Sequence, residues 1–258
     1  MVRLSGCIEM LYAREEPDVA ARIGRAHEDG LPAVEFWGWR QKNLDAIAEA
    51  AQRAGVAVAA FVAEHKGPIV DAANAPAFVE GVEASAEQAR RLGCGTLLVL
   101  TGQALPGVPR EAQHDAVVEA LRRAAPAAER AGVTLVLEPL NTLVDHKGHF
   151  LDSAREGFDI VRAVGSPAVK LLYDVYHMQI MEGNIIQTIR DNAALIGHYH
   201  VADVPGRREP GTGELNWRNI VQAIAETGYA GYVGLEYRPT GATPESLALI
   251  KSVATEIA

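Results

Sequence analysis

The chain has 258 residues, of which 48% are apolar and 22% charged, and its formal net charge is −9. That length suits one large domain with a sizeable core, or two small ones. The acidic balance, without any run of Lys or Arg, argues against a nucleic-acid partner, and no stretch long enough to span a bilayer is free of charge.

The acidity is read as a solubility feature. Cys7 and Cys94 lie far apart and no CxxC occurs, which fits a reducing compartment. The opening MVRLSGCIEMLY has no apolar leader-like run and no cleavage site. A cytoplasmic protein is expected.

One unit recurs along the chain. A helical stretch ends at a glycine, and a short run follows that is apolar almost throughout. The glycines are Gly30, Gly55, Gly93, Gly132, Gly165, Gly197 and Gly228. Each stands where a helix would close on a left-handed residue. Continuous rather than alternating apolar runs are the pattern of parallel strands covered on both faces. With LSGCIEML at the start, the strands are expected near Leu4–Leu11, Ala33–Trp39, Val56–Ala63, Thr96–Thr101, Thr134–Glu138, Val169–Asp174, Gly197–Ala202 and Tyr232–Tyr237. Pro126 should kink or restart the helix it falls in. The last helix, TPESLALIKSVATEI, should start with Thr243 as its cap and Pro244 in its first position.

Eight strand–helix units predict an α/β fold, a closed (β/α)8 TIM barrel forming one domain over residues 1–258. An open doubly wound sheet would carry a glycine-rich loop after its first strand, and neither GxGxxG nor GxxxxGK[ST] is present.

In such barrels chemistry gathers at the C-terminal strand ends. The fifth strand ends VLEPLN, the sixth LLYDVYH, the seventh HYHVAD and the eighth VGLEYRP. Glu138, Asp174, His200 and Glu236 therefore face one mouth from four neighbouring strands. A single tip acid is usually just solvated. Three converging carboxylates repel one another and raise each other's pKa, and a divalent cation relieves that repulsion. The mixed oxygen and nitrogen donor set suits Mg²⁺ or Mn²⁺, and also admits Co²⁺ or Zn²⁺.

His177 is expected on the loop just above Asp174, either reaching a substrate oxygen or tied to a nearby carbonyl. Met178 and Met181 should pack beside the mouth. The long loop ADVPGRREPGTGEL holds Arg207, which could clamp a carboxylate or hydroxyl, and Arg208, read as solvated. Asp203 also lies near the end of the seventh strand. Glu209 and Glu214 should order the loop and start the next helix rather than bind a metal. Glu35, Trp37, Trp39, Glu64 and His65 could wall a pocket, and His146 and His149 could close over it. His198, two residues before His200, is either a hydrogen-bonding partner behind the mouth or a satisfied core histidine.

The segments EPLN, YDVYHMQIMEG, IGHYHVADVPGRREPGTGELNW and GLEYRP resemble the hydroxypyruvate isomerases, within the xylose-isomerase-like barrel superfamily that also holds ketose 3-epimerases and endonuclease IV. The match runs over most of the second half; the first half agrees only in its strand–helix pattern. The resemblance implies a metal site at Glu138, Asp174, His200 and Glu236, and substrate contacts from His177 and Arg207. One position departs: hydroxypyruvate isomerases often carry Gln where His200 stands, and His there is the sugar-epimerase pattern.

The expected chemistry is metal-assisted proton transfer beside a carbonyl, with Glu138 and Glu236 as paired acid and base. The expected partner is a small ketose or 2-oxo acid, turned over by a homo-oligomer. An endonuclease IV would need more histidines at the tips and a basic groove. A non-catalytic sugar binder would lack one of the paired glutamates, and a cofactor-free hydrolase would need a Ser or Cys nucleophile motif.

Overall fold

The computed structural model describes residues 2–257. Eight parallel strands close in sequence order into one barrel, β1 pairing with both β2 and β8. The strands are β1 (Arg3–Cys7), β2 (Ala33–Phe36), β3 (Ala57–Val62), β4 (Thr96–Val99), β5 (Thr134–Leu137), β6 (Val169–Asp174), β7 (Ile196–Val201) and β8 (Tyr232–Leu235). Around them lie α1 (Ala21–Glu28), α2 (Leu44–Ala54), α3 (Ala75–Leu92), α4 (Arg110–Ala131), α5 (Ala154–Val164), α6 (Val175–Met181), α7 (Ile185–Asn192), α8 (Trp217–Glu226), α9 (Thr243–Ser246) and α10 (Ala248–Glu256). The predicted barrel is therefore the observed one. No helix among the described residues is long and apolar enough to cross a membrane.

Several strands are shorter than expected. β1 stops at Cys7 because the chain turns there, with Met10 and Leu11 both donating backbone N–H to the Cys7 carbonyl. Six of the seven unit glycines have φ between 65° and 75° and stand at or next to helix ends, as their spacing required. Gly197 differs. It lies inside β7, where a Cβ would come within 2.9 Å of Lys170 Cβ and Val136 Cγ1; it permits close strand approach instead.

Pro126 does not interrupt its helix, and α4 runs unbroken for 22 residues. The proline forfeits one helical hydrogen bond. Burial of Ala124, Ala125, Ala127 and Ala128 around it keeps the helix packed through that gap. Thr243 is not the cap of the last helix. Ala242 takes that position, and a separate α10 follows α9. The Thr243 hydroxyl is engaged elsewhere, donating to Glu15 and accepting from the Tyr12 N–H at 3.1 Å.

The main core lies between barrel and helices. Inside the barrel the two halves differ. Ala60, Leu98, Val136 and Leu172 fill one side. Ser5, Glu35, His198 and His200, all buried, fill the other. Side chains alternate along each strand, so the residues two positions below the predicted tip ligands are Val136, Leu172, His198 and Gly234.

Candidate active site

The four predicted ligands meet. Glu138 follows β5, Asp174 ends β6, His200 lies in β7 and Glu236 follows β8; each is at most 5% exposed. Their backbones are fixed by the barrel: Glu138 N–H donates to Val99 O and Glu236 N–H to Val201 O. Each residue offers one ligand atom, and these atoms all lie within 4.8 Å of one another. His200 Nδ1 is 3.5 Å from Glu138 Oε1 and 3.3 Å from Glu236 Oε2. Neither His200 Nδ1 nor Glu138 Oε1 has a hydrogen-bond partner. Buried polar atoms are rarely left so. Three carboxylates and an imidazole, two of whose atoms lack a partner, fit a hard or borderline divalent cation.

The electrostatics agree. Burial pushes the Asp174 carboxyl upward, and nearby Glu236 adds to this against the pull of Arg207 and His200. Burial would also raise Glu236, but the charges of Arg207 and His200 overcome it and hold Glu236 well below the usual range. Burial would lower His200, yet Glu236 and Glu35 outweigh it and raise the imidazole. The cluster calls for positive charge at Nδ1, which a proton or a metal ion can supply.

The loop that follows β6 in the expected reading is in fact a helix. Asp174 caps α6, its Oδ1 accepting from Tyr176 N–H at 2.7 Å and His177 N–H at 3.2 Å. This satisfies the new helix's first donors and leaves Oδ2 for the site. His177 therefore sits in the first turn of α6, not on a loop. Met178 is fully buried and Met181 packs against the core, so both pack as expected, but neither lines the mouth cavity.

His177 has a defined tautomer. Asn141 Oδ1 accepts from the N–H groups of Val144 and Asp145, so its amide nitrogen is the end that faces His177 Nδ1, at 2.7 Å. Asn141 N–H also donates to Nδ1, at 3.2 Å. Nδ1 is thus an acceptor, and Nε2 carries the proton. Burial first, then the Arg207 charge, lowers the His177 pKa to about 3, so the ring stays neutral. Its Nε2–H has no hydrogen-bond partner and lies 3.6 Å from Asp174 Oδ2.

Arg207 reaches into the mouth. Its Nη2 is 2.5 Å from Glu236 Oε2 and 4.0 Å from Asp174 Oδ2, and the guanidinium lies 5.3 Å over the Tyr176 ring. Its φ is 55°, an uncommon conformation for a non-glycine residue. The Arg238 N–H, donating to the Arg207 carbonyl at 3.0 Å, helps to hold it. The Arg208 side chain donates to the Arg238 carbonyl at 3.3 Å, near the surface. The Glu209 carboxylate orders the loop by accepting from Thr240, while Glu214 meets Gln179. Helix α8 starts on its own cap, Asn216.

A cavity of about 540 Å³ opens above the cluster. It is lined by the polar groups of Glu138, His177, Arg207 and Glu236, and also by Trp37, Val62, Leu98 and Leu100. Trp37 walls it as expected, and its Nε1–H donates to Glu236 Oε1 at 2.7 Å. Trp39 does not; it turns to Ser85. Glu64 and His146 line the cavity, whereas His65 packs against Phe78 and His149 against Thr101. Glu35 is not a wall either. It lies below the mouth, where its Oε2 is 3.1 Å from His198 Nε2 and 2.9 Å from His200 Nε2.

Asn141 and Asp145 were not singled out from the sequence. Asp145 accepts from the Asn141 amide at 2.9 Å and from the Tyr176 hydroxyl at 2.7 Å. Asn141, three residues after Glu138 in EPLN, was the available signal.

A closed barrel whose last four strands converge on one acid-rich mouth belongs to a recognisable class. The family described as xylose isomerase-like TIM barrel matches residues 23–253, and the chain belongs to it. More particularly, it is 32% identical to a hydroxypyruvate isomerase of Escherichia coli K12, over 96% of this chain and 97% of that one. It is 31% identical to a 2-oxo-tetronate isomerase of Cupriavidus necator, over 97% and 98%. A crystal structure from Brucella melitensis, described as an AP endonuclease of family 2, superposes with a TM-score of 0.92 at 29% identity, covering 98% and 99%. The protein is an enzyme of the isomerase kind.

Proposed function

We propose that the protein is a divalent-metal-dependent isomerase that transfers a proton beside a substrate carbonyl, converting hydroxypyruvate to tartronate semialdehyde. The observation carrying this reading is the buried quartet Glu138, Asp174, His200 and Glu236, whose donor atoms lie within 4.8 Å of one another beneath a cavity, with Glu138 Oε1 and His200 Nδ1 left without a hydrogen-bond partner. These residues would hold Mg²⁺ or Mn²⁺, with Co²⁺ or Zn²⁺ as other fits. A bound ion supplies Lewis-acid stabilisation of the charge that develops on the carbonyl oxygen.

The chain's own groups would do the rest. Arg207 suits the substrate carboxylate, and releasing Glu236 to make that contact frees the glutamate for proton transfer. His177 offers a neutral Nε2–H to a substrate oxygen. One of Glu138 and Glu236 takes the carbon-bound proton from C3, and a proton is returned at C2. Meanwhile the O–H changes places between the two oxygens, so the atoms balance. Val62, Leu98 and Leu100 give the cavity an apolar stretch of lining.

A second reading has its own support. A cavity of about 540 Å³ has room for more than a three-carbon acid, and the Cupriavidus necator relative is named for a longer 2-oxo acid. An isomerase of such an acid, or a ketose 3-epimerase, would use the same quartet. Incubation of metal-loaded protein in D₂O with a panel of 2-oxo acids and ketoses separates these outcomes by which compound takes up deuterium and at which carbon. Uptake at C2 of tartronate semialdehyde is expected, and no uptake by any compound would overturn the proton-transfer reading.

A further inference from the structure

The barrel interior holds a carboxylate that the proposed reaction does not use. Glu35 is 3% exposed, on β2, below the level of the quartet. Burying a charge costs several kcal/mol unless it is paired, and the opposite side of the lumen manages with Ala60, Leu98, Val136 and Leu172. Glu35 is well paired. Its Oε1 accepts from the Ser5 hydroxyl, and its Oε2 receives His198 Nε2 at 3.1 Å and His200 Nε2 at 2.9 Å.

Strand β8, which lies just beyond β1 from β2, is cut away to admit it. Gly234, on β8 two residues below Glu236, pairs with His200 across the sheet. A Cβ at Gly234 would overlap Glu35 Oε1 and stand 2.6 Å from His200 Cδ2. His200 therefore meets a carboxylate on one ring nitrogen and the mouth on the other. Nε2 faces an acceptor-only group at hydrogen-bond distance, while Nδ1 faces Glu138 and Glu236 without a partner of its own.

We propose that Glu35 is a positioning residue: by holding the proton of His200 on Nε2, it presents the Nδ1 lone pair to the cation bound by Glu138, Asp174 and Glu236. This rests on the metal reading above. A neutral imidazole carries one N–H, and whatever accepts it decides which nitrogen can serve as a ligand. Glu35, His198 and His200 are also close enough to one another to suggest a second cation site. Their geometry answers differently, since both Nε2 atoms converge on the one Oε2 as donors.

The test uses the full chain, labelled with ¹⁵N-histidine and loaded with ¹¹³Cd²⁺. In the wild type, His200 Nδ1 is expected to show coupling to cadmium and Nε2 to carry a proton shifted downfield by its carboxylate partner. In Glu35→Gln the downfield shift should vanish. Competition with a chromophoric chelator should show a 10- to 100-fold weaker Zn²⁺ affinity, the usual cost of losing such a partner. His198→Gln, which leaves the His200 contact in place, should stay within about threefold of wild type.

A thermal midpoint measured alongside reports folding separately, because a merely structural role would lower it without moving the cadmium coupling. Should Glu35→Gln fail to fold, the wild-type spectrum still decides which nitrogen binds. Cadmium coupling at Nε2, or Zn²⁺ affinity in folded Glu35→Gln within twofold of wild type, overturns this inference alone. A wild-type protein that binds neither ion overturns it together with the metal reading.

Discussion

Acids end strands on both sides of this barrel mouth, and they do different work. Glu64, after β3, spends one oxygen on the backbone N–H groups of Trp39 and Arg40, both at 2.6 Å. Asp203, after β7, accepts from Val204, Gly211 and Leu215 backbone N–H groups and from Trp217 Nε1. These carboxylates hold loops in place, because backbone donors that leave a strand must find acceptors. Glu138 Oε1 has no donor at all, and Asp174 gives one oxygen to its helix and keeps the other for the mouth. What separates a loop-holding acid from a candidate ligand is therefore where the neighbouring amides point, and not the acid's place on its strand.

The sharpest way to break that comparison is to neutralise the two kinds in turn. Glu138→Gln and Glu236→Gln should each lower turnover by ~10⁴-fold, the upper range for losing a proton-transfer group. Substrate should still bind by calorimetry; the thermal midpoint should hold or rise in Glu138→Gln, where a buried, poorly satisfied charge is removed, and fall in Glu236→Gln, where Arg207 loses its buried partner. Near-full activity in either variant would sink the paired assignment. Next in size, exhaustive chelation should cost ~10³-fold in rate, equivalent to several kcal/mol of charge stabilisation. Mn²⁺ or Co²⁺ should restore it. Activity indifferent to strong chelators would place the quartet with the loop-holding acids.

Asp203→Asn should do the reverse. Its amide would turn a donor toward groups that are already donors, with a loss of ~3 kcal/mol in urea unfolding. Zn²⁺ affinity of the folded variant should stay within about twofold. A large fall in metal affinity at unchanged stability would erase the distinction between the two kinds of acid.

The same distinction marks where the sequence was legible. Barrel and quartet follow from the pattern, since unit glycines and apolar runs set the strands and each strand's end offered a candidate ligand. Asp203 and Asp174 look alike in sequence because hydrogen bonds to distant loop amides leave no local pattern. Glu35 reads as a wall residue in sequence for a related reason. An acid in the run AVEFWGW says it is unusual, but only Gly234, some two hundred residues later, makes the space that lets it sit beneath His200. Pro126 and Thr243 misled because local rules were overridden, one by packing around α4 and the other by hydrogen bonds to Tyr12 and Glu15.

Histidines repeat the contrast, with a smaller expected effect. His200 sits among carboxylates and is pushed upward, whereas His149 is buried beside Thr101 with its Nε2 3.1 Å from the hydroxyl. Burial, then the nearby His146 and His177, lowers the His149 pKa from 6.5 to about 4. Between those values the unfolded chain binds a proton that the folded one does not. The stability from keeping this ring neutral is therefore fully present above pH ~6.5, erodes as pH falls toward ~4, and changes no further below that. A pH unit within the window is worth ~1.4 kcal/mol per group, and allowing for incomplete burial the whole effect is ~2 kcal/mol. Urea midpoints for wild type and His149→Gln between pH 7 and 4 isolate it, because acids common to both cancel in the difference. The variant should lose ~2 kcal/mol less than wild type across the window, and parallel curves would mean that His149 takes up its proton in the folded state as readily as in the unfolded one.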